Sequence, residues 1–292
     1  MSQTKHTRTG QEAYRWGMAL LCESGLDPTA AKAEARWILE KAWNRSGIRL
    51  VASLADALEE SSLEKYRELI MRRAAHEPLQ YILGEQEFMG LTLQVTPAVL
   101  IPRQDTEVIV KAILQLYQGR TDLQILELGT GSGAIAVSLA YYLPDSRITA
   151  VDISAEALTL ARSNGEKTGT AEKIAFLQGD LFDPLPEGRK YDLIVSNPPY
   201  ISAEEYAGLP EEVRREPRQA LWGGPDGLDF YRRIISLAPV YLLPQGRIFL
   251  EIGWKQAADV RHLLEKNGFS EIKIWPDKAG RDRAISALDG TS

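Results

Sequence analysis

Residues 124–143 constrain the fold more than any other stretch of the chain. Gln124 to Leu128 reads as a short buried strand, runs straight into Gly129-Thr130-Gly131-Ser132-Gly133, and is followed by the helical Ala134 to Leu143. A strand, a glycine turn and a helix form a nucleotide-binding corner, where glycines allow close backbone approach and the N–H groups at the helix start face the ligand. The spacing narrows the ligand class. A dinucleotide fingerprint places its third glycine three positions after the second, whereas Gly133 follows Gly131 by two. That favours a nucleoside cofactor lacking a pyrophosphate.

Around this corner the pattern predicts an α/β domain. Apolar runs at Ile148 to Val151, Ile174 to Leu177, Leu193 to Val195 and Ile248 to Ile252 alternate with helical stretches, which implies βαβ units and a mainly parallel sheet. Two late strands, near Ile272-Trp275 and Arg283-Leu288, are too close for a crossover helix and are expected to pair antiparallel. The first 80 residues read as a small helical bundle. Asp27-Pro28 is an N-cap with proline at the first helical position, ahead of Ala31, Ala35, Ile38, Leu39 and Ala42 at helical spacing. Ser61 and Glu64 have capping-box spacing before Leu63, Tyr66 and Ile70. Tyr81-Ile82-Leu83 and the alternating Leu91, Leu93 and Val95, with Gly84 and Gly90 between, suggest a β-hairpin. The expected organisation is a helical domain over 1–80, a hairpin linker over 81–96 and the α/β domain over 97–292, a length that suits two domains.

Charge and composition exclude several classes. A net charge of −6 weighs against a broad nucleic-acid footprint, which needs a basic face. Cys22 is the only cysteine, so no intrachain disulfide forms and a reducing compartment fits. The start, from Met1 to His6, has no apolar h-region, and no stretch reaches ~18 apolar residues, so no membrane segment and a cytoplasmic location are expected. His6, His76 and His262 lack any ligand-like grouping, so no catalytic metal is expected.

Ligands of open α/β sheets bind beyond the carboxyl ends of the strands, and polar residues cluster there. Asp152 ends the second strand of the domain, where its carboxylate can accept from both ribose hydroxyls. Asp180, after Gly179, can accept from an adenine amino group while Leu181 packs on the ring. The strand Tyr191 to Ser196 leads into Asn197-Pro198-Pro199-Tyr200. As a bland reading this is a turn. Its chemistry points further: the lone pair of a planar amide or aryl-amine nitrogen is delocalised, so a catalyst must hold the NH₂ in its more pyramidal form. The Asn197 side-chain oxygen and the Pro198 carbonyl supply two acceptors, prolines keep the backbone aimed, and Tyr200 walls in the planar group. These acceptors do not distinguish a glutamine amide from an adenine amino group.

The rest of the chain carries a resemblance. Glu77-Pro78-Leu79-Gln80-Tyr81-Ile82 with Glu87-Phe88 and Gly90 is followed by Ile101-Pro102-Arg103 with Asp105-Thr106-Glu107, then Glu127 to Gly133 and Asn197 to Tyr200. Glu216-Pro217-Arg218, Gly223-Gly224 with Asp226-Gly227-Leu228, and Glu251-Ile252-Gly253 with Gln256 complete the order. In this order and completeness the chain resembles the PrmC/HemK family, the peptide chain release factor glutamine methyltransferases. The resemblance implies a class I, Rossmann-like methyltransferase fold, S-adenosyl-L-methionine as cofactor, and an N-terminal helical domain that helps recognise a protein substrate. It also implies N(5)-methylation of the glutamine in the Gly-Gly-Gln loop of release factors. Carried over, Gly129, Thr130, Gly131, Ser132, Gly133, Asp152 and Asn197 contact the cofactor, and Asn197, Pro198, Pro199 and Tyr200 hold the glutamine. Gln104 stands where many relatives have proline, and Leu181 where some carry an aromatic, which bears on loop rigidity and adenine stacking. Arg103, Asp105 and Glu107 either shape the site or start a charged helix, and Glu216 and Arg218 are candidates for an ion pair. The competing readings are methylation of a ribosomal-protein glutamine, methylation of adenine in nucleic acid, and a non-catalytic cofactor-binding partner of the translation machinery.

Overall fold

A computed structural model of the protein describes residues 8–290; the amino-terminal start and His6 lie outside the described residues. The chain divides into two compact units, one formed by the residues up to Gly84 with Glu211–Arg215, the other by Glu85–Pro210 with the residues from Glu216 onward.

The first unit is helical: α1 (Gly10–Glu23), α2 (Pro28–Trp43), α3 (Gly47–Ser53), α4 (Glu60–Ala74) and α5 (Leu79–Leu83). Asp27 caps α2 as its sequence requires, its Oδ1 accepting from the N–H groups of Thr29 (2.8 Å) and Ala30 (3.2 Å). Ala31, Ala35, Ile38, Leu39 and Ala42 form the buried face of that helix and pack with Leu63, Tyr66 and Ile70 of α4. Truncating a residue such as Leu39 there is expected to cost ~2–5 kcal/mol. Arg73, nearly fully buried, is compensated by Glu34 (2.5 Å) and by Glu212 (3.1 Å), which ties the later segment into this unit.

Two local expectations change here. Ser61 lies inside α4, whose N-cap is Glu59 without a side-chain cap bond, so the Ser61/Glu64 spacing is not a capping box. A capping box does occur at Thr9 and Glu12, opening α1. Tyr81-Ile82-Leu83 is helical and belongs to α5, which Gly84 ends in a left-handed conformation at φ 74°. The hairpin is made by β1 (Glu85–Phe88) and β2 (Leu91–Gln94), with Phe88 paired to Leu91.

The second unit continues with a 3₁₀ turn (Gln104–Thr106), α6 (Glu107–Leu116), β3 (Gln124–Leu128), α7 (Ala134–Tyr142), β4 (Arg147–Asp152), α8 (Ala155–Thr168), β5 (Ile174–Gln178) and β6 (Tyr191–Ser196). After α9 (Ala203–Ala207), α10 (Glu211–Arg214), α11 (Arg218–Leu221) and α12 (Asp229–Tyr241) come β7 (Leu242–Glu251), α13 (Ala257–Lys266), β8 (Phe269–Pro276) and β9 (Asp282–Asp289). Seven strands form one sheet in the order β5-β4-β3-β6-β7-β9-β8. All pairs from β5 to β7 are parallel, and β9 is antiparallel to both β7 and β8.

Alternate strand residues face opposite layers. Ile125, Leu193 and Phe249 bury against α6 and α7, through residues such as Ile109, Ile113 and Val137. Leu126, Ile194 and Ile248 bury against α12 and α13, through Tyr231, Ile235 and Val260. The hairpin is fastened to α8 and the glycine turn: the Gln94 N–H donates to Asn164 Oδ1 (2.7 Å), and Asn164 Nδ2 donates to the carbonyls of Gln94 (3.0 Å) and Ser132 (2.9 Å).

Candidate functional site

Strand order reverses between β3 and β6, and an open α/β sheet binds ligands at such a switch point. Leu128 and Ser196 are register partners, and Ser196 Oγ donates to the Leu128 carbonyl (2.7 Å). The chain therefore leaves the sheet as Gly129 and as Asn197 at neighbouring points. A cavity of about 290 Å³ joins the two, lined by Gly129, Thr130, Gly131, Ser132, Asp152, Asp180 and Leu181 on one side and by Asn197, Pro198 and Pro199 on the other. Gly133 and Tyr200, two of the residues singled out in the sequence, are not part of its wall.

The glycine corner is built from its own backbone. The N–H groups of Gly129 and Thr130 both donate to the Val151 carbonyl, at 2.8 and 3.0 Å. Gly129 and Gly131 have φ of 74° and 53°, and a Cβ at either position would meet no atom within 4 Å, so the turn leaves open space where a ligand can approach. Gly133 serves packing: a Cβ there would sit 3.0 Å from that of Ala161 in α8. Asp152 Oδ2 accepts from the Gly131 N–H (2.8 Å) and Oδ1 from the Ser154 N–H (2.9 Å), which fixes the carboxylate at the cavity while each oxygen keeps acceptor capacity. Asp180 pairs with Arg233 (2.7 Å). Leu181 turns the chain at φ 51°, an uncommon conformation for a branched side chain, and lies against the cavity.

Sequence reasoning gave Glu127 no role beyond its place in a motif. It is buried under the corner, accepting from Thr130 Oγ1 (2.6 Å) and the Ala136 N–H (3.1 Å), and so ties the turn to α7. Burial pushes its carboxyl up to about 8 against those two hydrogen bonds, and the nearby Asp152 adds to the rise.

The Asn197 tip is braced from a distance. Asn197 Nδ2 donates to Thr106 Oγ1 (3.3 Å). A Cβ on Gly223 would fall 2.7 Å from the Pro199 carbonyl oxygen, so the Gly223-Gly224 segment backs directly onto the loop. Gln256 Nε2 donates to the carbonyls of Tyr200 (3.0 Å) and Gly227 (3.3 Å) while its Oε1 accepts from the Gly253 N–H (3.0 Å). The Tyr200 hydroxyl turns to Glu251 Oε1 (3.4 Å). Glu251 is itself buried, and its carboxyl is pushed up to about 7 by that burial, moderated by the Thr106 hydroxyl and by Arg283. Arg283 also reaches Asp105 (3.1 Å) and Asp277 (3.5 Å). Glu216 accepts from the Ile101 N–H (3.0 Å) and from Arg103 at the cavity wall. Arg218 lies over the rings of Tyr206 and Trp222. Of these, Thr106, Glu251, Gly223 and Gln256 brace the loop, which no local pattern assigned; their places in the ordered motifs were the only signal.

The residues fit a nucleoside cofactor: open space over two left-handed glycines, a fixed carboxylate at the end of β4, and apolar cover from Leu181. Among the described residues no group of three or more His, Cys, Asp or Glu could hold a metal, and no helix is long and apolar enough to cross a membrane.

Comparison with known proteins agrees with this geometry. Residues 12–84 match the family described as the PrmC N-terminal domain, and residues 104–221 match the methyltransferase small domain. A release factor glutamine methyltransferase of Moorella thermoacetica is 48% identical over 88% of this chain and 90% of its own length. One from Geobacter sulfurreducens is 41% identical over 99% of this chain and 100% of its own. Among solved structures, a methyltransferase from Pyrococcus furiosus is similar in fold, with a TM-score of 0.51 at 23% identity over 69% of this chain and 90% of that one.

Proposed function

The chain belongs to the release factor glutamine methyltransferases, and from that premise we propose that it methylates the side-chain amide nitrogen of the glutamine in the Gly-Gly-Gln loop of translation release factors. The observation that carries this reading is the single cavity with a nucleoside-type corner at one side and Asn197-Pro198-Pro199 at the other. S-adenosyl-L-methionine, bound at that corner, supplies an electrophilic methyl carbon on a sulfonium.

The protein's own residues do the rest. Gly129 to Ser132 would admit the cofactor, Asp152 would take its ribose hydroxyls, and Asp180 and Leu181 would take the adenine. Asn197 Oδ1 and the Pro198 carbonyl each accept one N–H of the glutamine amide, which favours a localised lone pair on nitrogen as positive charge develops there. Fixing that nitrogen beside the bound cofactor would let orientation supply up to ~7–11 kcal/mol of the barrier. A methylated amide nitrogen is acidic enough to lose its proton to water, so no general base is required. Tyr200, turned to Glu251, supports this loop from behind its wall. The N-terminal helical unit engages the protein substrate, and the enzyme works in the cytoplasm.

Intact-mass analysis of a purified bacterial release factor, incubated with the enzyme and cofactor, tests the reading. A gain of about 14 Da localised to the Gly-Gly-Gln glutamine is expected. A gain on another residue, or on ribosomal RNA alone, overturns it.

A further inference from the structure

Asn197 can grip an amide NH₂ only if its carbonyl oxygen, and not its own NH₂, faces the substrate, and nothing in the residue's own side chain decides which. The decision is made one residue away. Thr106 closes the 3₁₀ turn that runs into α6, at helical φ −64° and ψ −21°, and its side chain makes no cap bond. Its hydroxyl is buried and accepts from Asn197 Nδ2 (3.3 Å). A hydroxyl has one proton to give, and Glu251, which the Thr106 hydroxyl favours in its ionised form, is an acceptor for it once ionised. That carboxylate is short of donors: Tyr200 reaches Oε1 only at 3.4 Å, and Oε2 has no hydrogen-bond partner.

We propose that Thr106 and Glu251 are positioning residues for methyl transfer: Glu251 draws the Thr106 proton, Thr106 is left an acceptor toward Asn197, and Asn197 is locked with Nδ2 inward and Oδ1 toward the substrate nitrogen. The inference rests on the proposed role of Asn197. It assigns a purpose to two residues, 91 and 51 positions from their partners in sequence, of which Thr106 lies at the cavity wall and Glu251 behind it. It also explains a costly arrangement, a carboxylate held in a buried site without a full set of donors. In this relay no bond is made or broken; the orientation of one amide is the whole effect.

The test compares wild type with Asn197→Ala, Thr106→Val, Thr106→Ser and Glu251→Gln. Single-turnover methylation of a purified bacterial release factor is measured alongside the dissociation constant for S-adenosylmethionine and the thermal midpoint. Thr106→Val keeps the shape and removes the acceptor, so the transfer rate is expected to fall about 10- to 100-fold, as when a partner that orients a reactive ligand is lost. Cofactor affinity and thermal midpoint stay near wild type, and Thr106→Ser restores most of the rate. Glu251→Gln, where it folds, slows transfer in the same way without weakening the cofactor. A Thr106→Val rate equal to wild type, a Thr106→Ser rate as low as that of Thr106→Val, or a matching loss of cofactor affinity overturns the relay while Asn197→Ala remains defective. Full transfer by Asn197→Ala removes the role of Asn197 itself and the relay with it.

Discussion

The two halves of the cavity are built on opposite plans. The glycine corner is held by neighbours in the chain or the adjacent strand: Gly129 and Thr130 bond to Val151, Gly131 to Asp152, and Thr130 to Glu127. The Asn197 tip is held by residues of three distant segments, at Thr106, at Gly223, and at Glu251 with Gln256. The comparison separates a binding surface that folds with its own strand-turn-helix unit from a reaction surface that is complete only when the whole unit is. Each half also rests on one buried carboxylate, Glu127 under the corner and Glu251 behind the tip.

The sharpest way to break this comparison is Asn197→Ala. Steady-state kinetics are expected to show turnover reduced about 10²–10³-fold, or ~3–4 kcal/mol, with cofactor affinity nearly unchanged; equal losses in both would merge the two halves into one site.

Next in size is the pH dependence of stability. Burial holds both carboxyls above their unfolded value, so the stability they contribute is fully present below about pH 4.5 and is lost as pH rises through about 7 for Glu251 and about 8 for Glu127. Thermal midpoints measured from pH 5 to 9 are expected to fall less steeply in Glu127→Gln than in wild type, with the difference growing up to about pH 8 and constant beyond it. The Glu251→Gln difference is expected to start at the same pH and to level off earlier, near pH 7. Parallel curves would show that neither group titrates on folding.

A smaller pair of effects distinguishes the halves reciprocally. Gly223→Ala drives a methyl to 2.7 Å from the Pro199 carbonyl oxygen, and its overpacking should cost ~1–3 kcal/mol and slow turnover without weakening cofactor binding. Gly131→Ala meets no atom but must hold φ 53°, at ~1–2 kcal/mol, and it fills space at the cavity, so cofactor affinity should fall first. Calorimetric titration and kinetics on both variants check the crossing. Smallest is Leu181→Ala, expected to weaken cofactor binding about fivefold, or ~1 kcal/mol, through lost apolar contact and to leave the maximal rate alone.

The same contrast explains what the sequence made legible. The corner could be read because its determinants are consecutive, and the strands could be read because the parallel sheet, buried on both faces, demands continuous apolar runs. The chemistry of Asn197-Pro198-Pro199 was readable from residue types. Its bracing was not, because hydrogen bonds such as Thr106 to Asn197 or Gln256 to Tyr200 span 91 and 56 residues and leave no local periodicity. Tyr81-Ile82-Leu83 shows the limit of pattern in short runs: three apolar residues fit a strand or a helical turn equally, and their placement after Pro78, at the N-cap of α5, settled it. Ser61 shows another, since it keeps capping-box spacing to Glu64 although it falls two residues past the true cap, Glu59.

The insertion of β9 between β7 and β8 imposes an order of assembly. Among the described residues β8 has no other partner in the sheet, so although it is synthesised first it must wait, unpaired, for the later strand to bridge it to β7. The arriving strand also brings Arg283 to the buried acid at the tip of β7. A nascent chain lacking that strand can already possess the nucleoside corner, and catalytic competence is therefore the last property the folding domain acquires.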